Sequence, residues 1–297
     1  MCPVPLARLR QHLARGEYVQ ARREAERLIQ TGDLAGADRV HAYRGAALAH
    51  YSLQGVFAAV KLGEVALGLA QKLSDGELSA RLRVELAEFY LALGDTHMAR
   101  EHLFRCEEEP ATCGPQPALK ARLKQDRGQM HRLRKEYDEA AASLLEAADL
   151  YGREGSHRQA LEALRAVVAS YLEGGRPGLA WPVLERVSAC LQEHPDEELS
   201  ALHVTDLAHY YRLVGDLRVS MNFCEEALIP GRPGVDDRVL ATASAIAGAN
   251  ALDLGSRQEA QSFAELAMEY AIRSKLPHLM NQASALRARL QQDEGKG

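Results

Sequence analysis

Three small groups of residues in this 297-residue chain have types and spacings that could do chemistry. Asp206 and His209 lie three apart, so on a helix they share a face. A carboxylate and an imidazole placed that way can ligate a metal; the competing reading is a hydrogen bond in a groove. His97 and His102 lie five apart and share a helix face poorly. Cys106 and Cys113 flank the segment CEEEPATC and could form a redox pair. Against that, the five cysteines (Cys2, Cys106, Cys113, Cys190 and Cys224) are scattered, odd in number and without a CxxC pair. That usage describes free thiols in a reducing compartment, with Cys190 and Cys224 as small core residues. The sequence has no GxxxxGK[ST] loop, no GxGxxG after a strand, no HExxH and no nucleophile elbow. The expectation is no catalytic residue, no metal and no cofactor. Function must then come from the elements that present side chains to a partner.

Composition says what those elements are. Apolar residues make up 46% of the chain and aromatics only 5%, with Ala and Leu dominant, which favours helices over strands. The net charge is −5 and the basic residues alternate with Asp and Glu at helical spacing, so no stripe of positive charge exists to neutralise phosphates and no nucleic-acid partner is expected. No apolar run reaches the roughly 18 residues of a membrane span. The opening MCPVPLARLRQHLAR lacks the apolar core of an export signal, so the expectation is a soluble, cytoplasmic chain.

A repeat organises the helices. GEYVQA begins at Gly16, GVFAAV at Gly55, GDTHMA at Gly94, KEYDEA at Lys135, GRPGLA at Gly175, GDLRVS at Gly215 and GSRQEA at Gly255. The steps between these marks are 39, 39, 41, 40, 40 and 40 residues. Regular self-similarity of this length signals a repeat architecture. Glycine at the first place suits a left-handed residue that ends one helix and turns the chain into the next, and the small residue at the sixth suits a close helix approach. Four residues before the second and later marks stand Tyr51, Tyr90, His131, Tyr171, Tyr211 and Ala251. Runs such as LRVELAEFYLALG before a mark and MAREHLFRC after it have apolar residues at three- and four-residue steps. Each unit therefore reads as a helix, a short turn and an antiparallel helix. The expected division is 1–35, 36–77, 78–117, 118–157, 158–197, 198–235 and 236–275 as one repeat domain, with a capping helix over 276–292.

At LAEFY (Leu86 to Tyr90), LAHYY (Leu207 to Tyr211), GQMH (Gly128 to His131) and the second-helix alanines Ala21, Ala99, Ala140, Ala180 and Ala260, the chain resembles the tetratricopeptide-repeat family. It departs from that pattern in its period of about 40 rather than 34 residues. The family tryptophan is also absent from its slot, and the only Trp, Trp181, lies in a second helix. The resemblance implies an all-α, right-handed α-α superhelix, a solenoid of about seven helix-turn-helix units. It also implies a non-enzymatic scaffold that holds a protein or peptide segment in a groove lined by the first helices. Carried onto this chain, the polar groove positions are Arg81, Glu85 and Glu88; Arg122, Gln125, Asp126, Gln129 and Arg132; Arg165; and Thr205, Asp206, His209 and Arg212. They lie between a small-residue end (Ala42, Gly45, Ala46, Ala49) and an apolar end (Ala245, Ile246, Ala249, Leu252). Two readings of these charges stand side by side: they face a ligand, or they pair with one another along the inner face. No groove position is Lys or Asn, the residues family members use to hold the carboxylate tails of chaperones, so a chaperone adaptor is not expected. Alternatives to the scaffold are a bacterial sensor of the peptide-receptor type without its own DNA-binding domain, and a scaffold that self-associates, for example as a homodimer.

Overall fold

The structure, a computed structural model, describes residues 5–32, 34–108 and 117–294. These residues form fifteen α-helices and no strand. They are α1 (Pro5–Ala14), α2 (Tyr18–Thr31), α3 (Gly36–Ser52), α4 (Val56–Lys72), α5 (Gly76–Ala92), α6 (Thr96–Glu108), α7 (Pro117–Leu133) and α8 (Tyr137–Arg153). Then follow α9 (His157–Glu173), α10 (Pro177–Glu193), α11 (Glu197–Val214), α12 (Leu217–Ala227), α13 (Asp237–Asp253), α14 (Arg257–Ser274) and α15 (Pro277–Glu294). None of the described helices is long and apolar enough to cross a membrane. The chain divides into two compact units, residues 1–154 and 155–297.

The turn inside each pair has one construction throughout. The residue after the left-handed position donates its N–H to a carbonyl five residues back, closing the six-residue loop of a Schellman cap. The pairs are Glu17 to His12, Gly55 to His50, Asp95 to Tyr90, Glu136 to His131, Arg176 to Tyr171, Asp216 to Tyr211 and Ser256 to Ala251, all at 2.8–2.9 Å. This construction corrects the second repeat of the ruler. The left-handed residue there is Gln54, at φ 63°, while Gly55 has φ −85°. The true marks are Gly16, Gln54, Gly94, Lys135, Gly175, Gly215 and Gly255, and His50 rather than Tyr51 belongs to the column that holds Tyr90 and His131. Gly55 imitates the mark because Gly is the usual left-handed residue, but Gln54 and Lys135 adopt the same conformation, at φ 63° and 61°. With Gln54 as the mark, the sixth place is Ala59, and all seven sixth places (Ala21, Ala59, Ala99, Ala140, Ala180, Ser220 and Ala260) are fully buried.

Several second helices and first helices also start on a side-chain cap. Asp75, Asp95, Asp196, Asp216 and Asp236 each accept from a backbone N–H two or three residues on, satisfying donors that a helix start leaves open.

Within unit 1, α1 packs on α2, α3 on α4, α5 on α6 and α7 on α8; within unit 2, α9 packs on α10, α11 on α12 and α13 on α14. Each second helix also touches the first helix of the next pair in its unit. First helices lie beside one another: α1 by α3 and α5 by α7 in unit 1, and α9 by α11, α11 by α13 and α13 by α15 in unit 2. Glycine allows close passage between α7 and α8 at Gly128, where an added Cβ would stand 2.5 Å from Leu144, and between α13 and α15 at Gly248, where it would stand 2.6 Å from Leu286. In unit 2, Trp181 of α10 lies against Tyr210 of α11, ring centroids 5.1 Å apart, so the one tryptophan joins successive pairs. The last helix, α15, buries Leu279, Ala283, Leu286 and Leu290 and covers the apolar side of α13 and α14.

Cys106 and Cys224 are buried thiols, and burial pushes the Cys224 thiol up to about 12. Cys190 is only partly buried, so it is less of a core residue than expected. Cys2 and Cys113 lie outside the described residues, and with them the redox reading of CEEEPATC.

Candidate functional site

The first-helix face can be laid out by counting back from the left-handed residue of each repeat. Ten residues before Gln54 stands Arg44; nine before Gly94 stands Glu85. These two meet across α3 and α5. Arg44 Nε donates to both Glu85 oxygens at 2.9 Å and its Nη2 donates at 2.5 Å, over a carboxylate only 2% exposed. In unit 2 the same two places are Arg165 and Asp206, and they meet in the same way across α9 and α11, at 2.7 and 3.1 Å. Both pairs span 41 residues. Place minus ten reaching place minus nine of the next repeat is therefore a repeating latch between neighbouring first helices. A planar guanidinium gripping a carboxylate at two points suits that role.

At the first step of unit 1, between α1 and α3, buried Leu6 and Gly45 hold the two places. Beyond it, each unit contains one step where the latch is replaced, and the two replacements differ. In unit 1, Val84 stands ten before Gly94, fully buried, where the latch needs arginine. Its would-be partner, Asp126, is 7% exposed and its Oδ2 has no hydrogen-bond partner. Burial raises the Asp126 carboxyl well above the usual range; the Arg122 charge opposes that and the Glu88 charge adds to it. Arg122 itself is ion-paired to Glu88. In unit 2, Thr205 stands ten before Gly215 and Ile246 nine before Gly255. Thr205 is 3% exposed and donates to the Leu202 carbonyl of its own helix at 2.7 Å, so it faces the core and not a groove.

Beside that substituted step in unit 2 is a pocket of about 260 Å³. Its walls come from three first helices: His209 and Arg212 of α11; Thr242, Ala245, Ile246 and Ala249 of α13; and Gln282, Ala285, Leu286 and Arg289 of α15. Small side chains on α13 and α15 leave the space, and Ile246 and Leu286 make its floor apolar. Arg212 is held from two sides, donating to Asn250 Oδ1 at 2.7 Å and Asp253 Oδ2 at 2.5 Å. Asn250 is fully buried and passes the network on, donating to Ser220 Oγ at 2.8 Å, which donates to the Ala208 carbonyl at 2.7 Å. Arg289 donates to the other Asp253 oxygen at 2.8 Å and is otherwise half exposed. Burial lowers the proton affinity of His209; the Asp206 charge works against this and Arg212 with it.

The expected groove residues thus fall into distinct places. Glu85, Glu88, Arg122, Arg165, Asp206 and Arg212 are all ion-paired on the first helices, so mutual pairing accounts for most of the charges. Arg81 lies 3.6 Å from Glu77 on its own helix. Gln125 accepts from the Tyr151 hydroxyl of α8 at 2.8 Å, turned toward its own partner helix. Gln129 and Arg132 are partly buried on α7. His209 and Arg212 line the pocket with Ala245, Ile246 and Ala249, whereas Leu252 packs with the core around Ala251 and Ala260. Ala42, Gly45, Ala46 and Ala49 are buried against α1 and α2, and a Cβ on Gly45 would stand 2.8 Å from Leu9. Ala42, Ala46 and Ala49 were misplaced by the one-residue slip at Gln54, which rotates a helix by about 100°, whereas Gly45 keeps a place on the face, nine before Gln54. Correcting it brings Arg44 into the face. Sequence reasoning also missed Asn250, Asp253 and Arg289. Asp253 was findable, since it lies 41 residues after Arg212, the same separation as the two latch pairs, although at different places of the repeat.

Asp206 and His209 do not converge on a metal: Asp206 is taken by Arg165 and His209 faces the pocket. Among the described residues no group of three or more His, Cys, Asp or Glu could hold a metal ion.

No protein-family model matches the chain, and no curated protein matches it in sequence. Solved structures do match in fold. The apo form of RapI superposes with a TM-score of 0.68 at 11% identity, covering 91% of this chain and 97% of that one. A Rap protein complexed with Competence and Sporulation Factor gives 0.66 at 16%, covering 94% and 75%. A tetratricopeptide repeat protein from Parabacteroides merdae gives 0.65 at 12%, covering 94% and 97%. At these identities it is the fold that is shared, and this chain has the all-helical repeat fold of the tetratricopeptide-repeat proteins.

Proposed function

We propose that the chain is a non-enzymatic binding module that takes a protein or peptide segment on its first-helix face. The observation that carries this is the pocket of unit 2, where three successive first helices contribute small and apolar side chains beside fixed polar groups. Concave, largely apolar sites with a few placed polar groups are what ligands use. NprR, a solved structure of the same fold at 14% identity and a TM-score of 0.63, is in complex with its cognate peptide NprX, which supports a peptide ligand. The cytoplasm suits this module, since Cys106 and Cys224 are thiols.

The test fills the pocket. Ala249→Trp places an indole in the space from α13, and Ser262→Trp places the same group on the second helix α14 as a control. Affinity capture followed by mass spectrometry is expected to lose the specific partners with Ala249→Trp and keep them with Ser262→Trp. An unchanged set of partners with Ala249→Trp contradicts the reading.

A sensor whose output lies in another protein is the second reading, favoured by the same fold likeness. It predicts that filling the pocket changes binding of a second protein elsewhere on the chain; a pure scaffold leaves that second contact untouched.

A further inference from the structure

The charges around the unit 2 pocket do not cancel. Two guanidiniums, Arg212 and Arg289, share a single carboxylate, Asp253. The nearest other acid on α11, Asp206, is already neutralised by Arg165. Burial disfavours the charged form of the His209 imidazole, although the neighbouring Asp206 charge works against that. Among the described residues, the lining and its ion-pair partners therefore carry one positive charge in excess, beside an apolar floor.

The two arginines are not equivalent. Arg212 is fixed at both ends, by Asp253 and by the buried Asn250–Ser220 relay, and its side chain is 18% exposed. Among the described residues, Arg289 is ion-paired to Asp253, and its side chain is 48% exposed. A fixed guanidinium supplies a permanent field, and a freer one can turn to a ligand while Asp253 stays paired with Arg212. An anion arriving there gains a charge-assisted contact without stranding any buried charge.

We propose, resting on the peptide-binding reading above, that the pocket selects a peptide segment in which an aliphatic side chain sits next to a carboxylate. The side chain seats against Ile246, Ala249 and Leu286, and Arg289 takes the carboxylate with Arg212 behind it. Asp253 then acts as the competitor that sets how strongly the acid is held.

The probe is N-acetyl-leucine, which carries both groups, against N-acetyl-leucinamide, which keeps the side chain and lacks the charge. Binding to the full chain is read from the methyl resonances of Ile246, Ala249 and Leu286 in a titration to about 20 mM, a range suited to weak fragment ligands. The acid is expected to bind about tenfold more tightly than the amide, a factor of ten being about 1.4 kcal/mol. In Arg289→Gln the ratio is expected to fall toward one, and in Asp253→Asn it should rise, because a competing carboxylate is gone. A general disturbance of the fold would weaken both ligands together and leave the ratio alone. If the amide shifts these methyls as strongly as the acid, the charge assignment is overturned while the apolar docking site survives. If the ratio is high but unmoved by Arg289→Gln, the assignment to Arg289 is overturned. If neither ligand shifts the pocket methyls, both this inference and the peptide-binding reading of the pocket fall.

Discussion

The two units are built from the same helix pairs and the same latch; apart from the α1–α3 step, where buried Leu6 and Gly45 close the two places, they differ at the step in each where the latch is missing. In unit 1 the arginine is gone and the acid stays: Val84 faces a position whose Asp126 is buried with an oxygen unpaired. In unit 2 both members are gone, replaced by Thr205 and Ile246, and a pocket stands beside the gap. Removing half of a buried ion pair leaves a charge to be tolerated, while removing both leaves apolar surface that a ligand can use. Unit 1 therefore reads as a face closed by its own side chains, and unit 2 as a face left open.

The sharpest way to break that comparison is at the intact latches. Arg44→Ala strands Glu85, a carboxylate 2% exposed, and is expected to destabilise the chain by about 3 kcal/mol in urea unfolding. Arg165→Ala leaves Asp206, whose side chain is 17% exposed and reached by water, so about 1–2 kcal/mol is expected there. Equal losses would show that burial does not distinguish the two faces.

Gly94→Val and Gly215→Val test whether the units share one turn. Both glycines have positive φ, 77° and 91°, and each substitution is expected to lower stability by about 2 kcal/mol, because a β-branched residue resists that conformation. A loss at only one of them would mean that the two turns are held differently.

Asp126→Asn should act in the opposite direction. The folded carboxyl has its proton affinity raised by burial, so its contribution to stability is fully present below the unfolded pKa of about 3.9 and is lost as pH rises through the higher folded value. The Asn variant is therefore expected to melt above the wild type at pH 7, with the gap closing below about pH 4. A gap independent of pH would mean that Asp126 is not the stranded charge of unit 1. The smallest effect is at the turns that lack glycine. Gln54→Gly and Lys135→Gly relieve left-handed residues at φ 63° and 61° and should each raise stability by about 0.5–1 kcal/mol. Both lie in unit 1; no turn of this kind in unit 2 departs from glycine.

Helix pairs and their period were legible in the sequence because apolar spacing and turn chemistry repeat locally. The register of the second pair was not, because a glycine one residue past the true turn imitates the signal, and it is placed by the left-handed Gln54 and the Gly55-to-His50 hydrogen bond. That slip hid Arg44. The charges of the first helices were legible as a set, but their pairing was not: Glu85 and Arg165 look like ligand-facing groups until the residue 41 positions away is seen against them. Ala245, Ile246 and Ala249 were legible as an apolar patch, while the part of the pocket from α15 was hidden because that helix was read only as a cap.

The most direct test of the difference between the faces is photo-crosslinking with short randomised peptides that carry photo-leucine, with the attachment points mapped by mass spectrometry. The account predicts crosslinks on the stretch from Thr242 to Ala249 of α13 and from Gln282 to Arg289 of α15, lost in Ala249→Trp. Crosslinks concentrated instead on α3, α5 and α7, or spread over the second helices, would contradict it.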